Sequence, residues 1–112
     1  MDPRTRTVVI TLAPVKPGHL PDVANLFAET NPPLVADQPA WLGASFTADA
    51  EAHTATVLAY WTDADAYRAF SKSAAFAQTM RQFAPHLSGP PVVSLSHVLV
   101  GMTQDTVWRH GD

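Results

Sequence analysis

Residues 60–81 read YWTDADAYRAFSKSAAFAQTMR. A strand closes on the aromatic pair Tyr60-Trp61, and a helix follows at once. Thr62-Asp63-Ala64-Asp65 resembles a capping box with Asp where Glu is usual. The spacing predicts a helix to about residue 70, with Tyr67 on its second turn. A break at Ser71-Lys72-Ser73 leads to a second helical piece over 74–84, on which Phe76, Met80 and Phe83 share a face. Trp61, Tyr67 and Arg81 are thereby brought near one sheet–helix crevice.

Upstream, residues 53–61 alternate as a strand. Ala55, Val57, Ala59 and Trp61 lie on one face, and Thr54, Thr56, Leu58 and Tyr60 on the other. The polar link 49–52 suits a hairpin back to a strand over 41–48, where Leu42, Ala44, Phe46 and Ala48 alternate with Gly43, Ser45 and Thr47. A further strand is expected over 5–13, with Val8, Ile10 and Leu12 on one face and Val9, Thr11 and Ala13 on the other. Lys16-Pro17-Gly18-His19 turns the chain into a helix over 20–30, which tolerates Pro21 in its first turn. Its stripe is Leu20, Val23, Ala24 and Phe27, and Asn31-Pro32-Pro33 is expected to end it. Downstream, Pro85, Gly89, Pro90 and Pro91 mark an exit loop before a last strand over 92–100. Residues 1–101 read as one domain and 102–112 as a weakly patterned tail.

The order β-α-β-β-α-β predicts an α+β fold, the ferredoxin-like antiparallel sheet covered by helices on one face. Both faces of these strands are apolar or small, so the uncovered face needs a cover. A second copy of the same sheet is the simplest, which predicts a homodimer with sheets packed face to face.

Composition agrees. The chain has 112 residues, 46% hydrophobic and only 15% charged, against roughly 25% in an average domain. Net charge is −3 and the seven Lys and Arg form no basic run, which argues against nucleic acid. No run approaches the ~18 apolar residues of a membrane span, and MDPRTRTVV has no apolar stretch suited to a signal peptide. A cytoplasmic protein is expected. Cysteine is absent, which removes thiolate chemistry. The histidines His19, His53, His86, His97 and His110 show no i, i+4 ligand spacing, so no metal site is predicted.

Trp61 reads either as core or as a pocket wall, since a strand end in front of a helix N-terminus suits both. Tyr67 shares a face with Phe70, and its hydroxyl needs a partner if buried. Arg81 lies about 100° around the helix from Met80, off the apolar stripe, and by position alone reads as solvated. His97 falls with Val93, Leu95 and Leu99 on one face of the last strand and reads as a core or interface histidine. Asp63 and Asp65 read as cap and helix-dipole residues. Phe27, Phe46, Val57, Phe70 and Phe76 are expected to line a substrate site, with His86 on the loop at its mouth.

The chain resembles the antibiotic biosynthesis monooxygenase family of dimeric α+β barrels over about residues 7–101. The resemblance rests on Lys16-Pro17-Gly18 before the first helix and Pro39-Ala40-Trp41-Leu42-Gly43-Ala44 at the second strand. It continues through the strand ending in Trp61, the Asp63–Tyr67 helix start, and Gly89-Pro90-Pro91 before the last strand. The most similar branch comprises quinone-forming monooxygenases of aromatic polyketide pathways. These oxidise anthrone-like phenols with O2 and need no flavin, haem or metal. The resemblance implies that Trp61, Tyr67 and Arg81 are the catalytic residues. It also implies that a small aromatic molecule and O2 are the substrates, that the partner is a second copy, and that no cofactor takes part. Val57 stands where that branch has Asn, and Thr47 where it has His. A second branch degrades haem with an Asn in the first strand and a His on the second helix, and neither is present. The alternatives are a non-catalytic binding protein for small aromatic ligands and a polyketide cyclase or isomerase on the same fold.

Overall fold

The computed structural model describes residues 1–110. The elements are β1 (Thr7–Pro14), α1 (Leu20–Val35), β2 (Trp41–Asp49), β3 (Thr54–Trp61), α2 (Ala64–Ser71) and α3 (Ala74–Phe83). A 3-10 turn (Ala84–His86) leads to β4 (Val92–His97), and a short hairpin follows, β5 (Val100–Met102) and β6 (Val107–Arg109). The main sheet has the order β2-β3-β1-β4 with every neighbour antiparallel. This is the ferredoxin-like α+β arrangement that the element order predicts.

Register decides which side chains meet the helices. Thr7 pairs with Trp61 and His97, Val9 with Ala59 and Leu95, and Thr11 with Val57 and Val93. Phe46 sits opposite Val57. Side chains alternate along a strand, so these residues share the helix-covered face. Two apolar clusters form beneath the helices. One is Val9, Val35, Trp61, Tyr67 and Phe70; the other is Val15, Val23, Ala55 and Phe83.

Among the described residues nothing covers the other face. Val8, Ile10, Leu58 and Tyr60 are only half-buried. Leu12 is 50% exposed and Val92 64%, far more than core residues would be.

Caps behave as the residue types dictate. The Asp63 carboxylate accepts from the Asp65 and Ala66 amides at the start of α2, and the Ser73 hydroxyl accepts from the Phe76 amide at the start of α3. Asp63, one residue after Thr62, is thus the N-cap.

Three expectations need correction. First, α1 does not stop at Pro32-Pro33 but runs through both to Val35. Both prolines are exposed, as are Ala28 and Glu29, whose carbonyls lose their amide donors, so water can hydrate those carbonyls. Second, the last strand ends at His97 rather than residue 100: the Val98 amide still donates in register to the Arg6 carbonyl at 2.8 Å, and the chain then bends at Leu99 into β5. Third, much of the tail is ordered as the β5–β6 hairpin. The Trp108 indole lies against Gly101, where no side chain would fit. His110 Nε2 donates to the Thr5 carbonyl at 2.8 Å and ties the hairpin to the start of the chain. The last two tail residues lie outside the described ones.

Candidate active site

A cavity of about 240 Å³ lies between the helix-covered sheet face and α1, α2 and α3. For scale, a dry cavity of ~150 Å³ holds benzene, so this one has room for a larger ring system. Its sheet wall includes Val9, Thr11, Phe46, Val57, Ala59 and Trp61; its helix wall includes Phe27, Asn31, Tyr67, Phe70, Phe76 and Thr79.

The aromatic groups fall into two sets. Trp61 meets Tyr67 edge-on, with ring centroids 5.7 Å apart, and Phe70 at 5.3 Å. Phe76 meets Phe70 edge-on at 5.3 Å. Phe27 and Phe46 pair separately at 5.3 Å. Flat apolar walls of this kind favour a flat apolar ligand.

Polar groups are few. Trp61 is 1% exposed, and its Nε1 is buried with no hydrogen-bond partner among the described residues. A buried donor without a partner is unusual; Trp108 Nε1 and the Thr5 hydroxyl share this state away from the cavity. Thr30 and Thr79 spend their hydroxyl protons on the Leu26 and Ala75 carbonyls at 2.7 and 2.9 Å. Among the described residues Tyr67 is the one ionisable residue of the wall. Burial raises its phenol pKa above the ordinary value, so at neutral pH the hydroxyl is protonated and can donate.

Seven of the nine residues expected to act in catalysis or binding line this cavity: Trp61, Tyr67, Phe27, Phe46, Val57, Phe70 and Phe76. Arg81 and His86 do not. Arg81 is exposed on α3, away from the wall. Its helical phase, about 100° off the apolar stripe, is the reason. His86 precedes the lining residue Leu87, but its ring faces His19, with the two Nδ1 atoms 3.0 Å apart. His97 is exposed at the end of β4 rather than in the core. The Thr47 hydroxyl donates to the Thr56 carbonyl at 2.9 Å on the opposite sheet face and does not reach the cavity.

Asn31, Thr79, Met80 and Trp41 line the cavity and were not expected to. Once α1 is allowed to continue past its prolines, Phe27, Asn31 and Leu34 follow the i, i+4, i+7 spacing of one helix face. The signal was present but hidden behind Pro32-Pro33.

The family model for antibiotic biosynthesis monooxygenases matches residues 5–82. The chain belongs to this family. Solved structures share the fold. A monooxygenase from the ActVA-Orf6 gene of Streptomyces coelicolor, solved with nanaomycin D, is 22% identical with a TM-score of 0.76, over 91% of this chain and 95% of that one. SnoaB, a cofactor-independent oxygenase from Streptomyces nogalater, is 18% identical with a TM-score of 0.68, over 82% and 91%. The NE2512 protein of unknown function from Nitrosomonas europaea is 20% identical with a TM-score of 0.73, over 91% and 97%. No curated protein matches in sequence. Among the described residues no helix is long and apolar enough to cross a membrane.

Two expectations for this family member follow from geometry. Arg81→Gln should change turnover by less than about twofold, because a solvated cation adds little; a steady-state comparison with wild type checks this. Tyr67 makes stability pH-dependent. Its unfolded phenol titrates near pH 10 and its folded phenol higher. The folded state therefore holds the proton longer, and the associated stability is present below pH 10 and lost as pH rises through the folded pKa. Tyr67→Phe should flatten the alkaline limb of a stability curve measured by urea unfolding between pH 8 and 11.

Proposed function

We infer that the protein is a cofactor-independent monooxygenase acting on an electron-rich polycyclic phenol of the anthrone type. The observation that carries this reading is the buried, unpartnered Trp61 Nε1 beside protonated Tyr67 among the lining residues of a mostly apolar aromatic cavity. Two donors among the lining residues of such a space suit a flat ligand with oxygen substituents. Family membership and the folds of the ActVA-Orf6 and SnoaB proteins support it.

In this reading the substrate supplies the electrons. A ring methylene flanked by phenol rings loses a proton to give a delocalised anion. The anion reduces O2, and the carbon–oxygen bond forms as a hydroperoxide. Loss of water from that hydroperoxide leaves a ring carbonyl, so methylene and O2 become quinone and water. Trp61 Nε1 and the Tyr67 hydroxyl donate to the ligand oxygen on which negative charge gathers. The walls exclude bulk water from the reactive carbon. The partner in assembly is a second copy of the chain, packed on the open sheet face.

Among the described residues the wall offers no carboxylate, imidazole or amine to take the first proton. This favours a second reading, a binding protein for the same ligand class, with Val57 where the quinone-forming branch has Asn. Oxygen uptake with an anthrone-type tricyclic phenol separates the two. Uptake above the buffer rate, rising with pH as the ligand phenol ionises, supports oxygenation. Tight binding without uptake assigns the binding role.

A further inference from the structure

We propose that His19, Asp22 and His86 form a binding site for one divalent first-row transition ion of the Zn2+, Ni2+ or Cu2+ class. One ligand atom from each of the three residues lies within 4.8 Å of the others, and the two histidine Nδ1 atoms are 3.0 Å apart. With metal–nitrogen bonds of about 2.0–2.1 Å, adjacent nitrogens on one ion are separated by roughly 3.0 Å at a right angle and roughly 3.4 Å at the tetrahedral angle. The observed spacing therefore fits two neighbouring ligands of a tetragonal or octahedral centre, and a small ring rotation reaches the tetrahedral one. Imidazole and carboxylate together are the donor set that borderline divalent ions prefer. Water completes the shell on the solvent side, where Asp22 is exposed.

The backbone holds the two halves of the site in register. Lys16-Pro17-Gly18-His19 is a tight turn closed by the His19 amide donating to the Lys16 carbonyl at 3.0 Å, with Gly18 at φ +82. The Lys16 amide donates to the His86 carbonyl at 2.9 Å, and the Ser88 amide to the Pro14 carbonyl at 3.0 Å. Val15 and Leu87 form a bridge between these hydrogen bonds. His19 is the N-cap residue of α1, but its side chain makes no capping bond, so the ring is available. Asp22, in the first turn, offsets the positive end of the helix that would otherwise repel a cation.

A bare His19–His86 hydrogen bond would also bring the rings together, and it has no use for Asp22. The ion would clamp the start of α1 to the segment leading into β4. Val23 and Leu87, neighbours of the ligands, line the cavity. The clamp thus fixes one end of the cavity and takes no part in its chemistry. It stands independently of the proposed oxygenation.

The test uses tag-free full-length protein stripped with a chelator and then dialysed. Zn2+, Ni2+ and Cu2+ are titrated separately by calorimetry, and melting is followed in parallel. One equivalent per chain with a dissociation constant of about 1 μM or tighter is expected. Saturation should raise Tm by at least about 5 °C, reversibly with chelator. His19→Gln and His86→Gln should each weaken binding by a hundredfold or more, and Asp22→Asn by about tenfold. Asp22 is exposed, so its variant tests the site even if a histidine variant folds poorly. His53→Gln should change nothing. Millimolar binding in the wild type, or stoichiometric binding that survives His19→Gln and Asp22→Asn, overturns the proposal.

Discussion

Trp61→Phe should lower oxygen uptake on an anthrone-type phenol by at least about tenfold while the protein stays folded. Loss of a single donor to a developing oxyanion costs up to about 10²–10³ in rate, and Trp61 Nε1 is a fully buried donor that has no other partner among the described residues. Stability should move little, because two effects oppose. Removing ring volume from a residue 1% exposed leaves a void, at some fraction of the ~3–5 kcal/mol that a Trp→Ala change costs in a core. Removing an unsatisfied buried N–H returns about 1–3 kcal/mol of desolvation penalty. A net change within about 2 kcal/mol is expected by urea unfolding. Trp61→Ala lacks the second ring as well and should destabilise heavily, so Phe is the informative substitution. Wild-type turnover in folded Trp61→Phe would remove Trp61 from the chemistry and leave it as core packing against Tyr67 and Phe70.

Much of this site was legible because it sits on local signals. The Asp63 cap and the strand alternation ending at Trp61 fix where Tyr67 and Phe70 point, and those signals span fewer than a dozen residues. Two parts were not legible, for different physical reasons. The continuation of α1 was hidden because proline's penalty is argued from lost amide donors, and whether water replaces them depends on exposure that only the fold defines. The His19–Asp22–His86 cluster was hidden because its histidines are 67 residues apart in sequence. Ligand spacing within one helix cannot register a pair that is brought together by the bridge between Val15 and Leu87. Arg81 shows the reverse case. Helical phase alone put it in solvent, where the structure has it, and only the family resemblance suggested a catalytic role.

Ile10→Glu should convert the protein from a species of twice the chain mass to one of single mass in sedimentation equilibrium at micromolar concentration. Ile10 lies mid-strand on β1, with Val8 and Leu12 beside it and Leu58 and Ser94 opposite it on the neighbouring strands. The centre of that face is apolar, flanked by Ser45, Thr47 and Thr56 on one side and Ser94 and Ser96 on the other; it lacks any cover from α1, α2 or α3, and its exposed members Leu12 and Val92 are large. A stable interface buries about 800 Å² per partner, and a four-stranded face is of that order. A glutamate on each copy would bury an unpaired charge twice, at about 3–5 kcal/mol each. Since 1.4 kcal/mol is tenfold in affinity, the dissociation constant should rise by at least about a thousandfold. The cavity is walled by residues of one chain, so the single-mass variant should still bind an aromatic ligand. Persistence of the double mass in Ile10→Glu would place the contact elsewhere on the molecule. A wild type already of single mass would mean that the open face tolerates water despite Leu12, Leu58 and Val92.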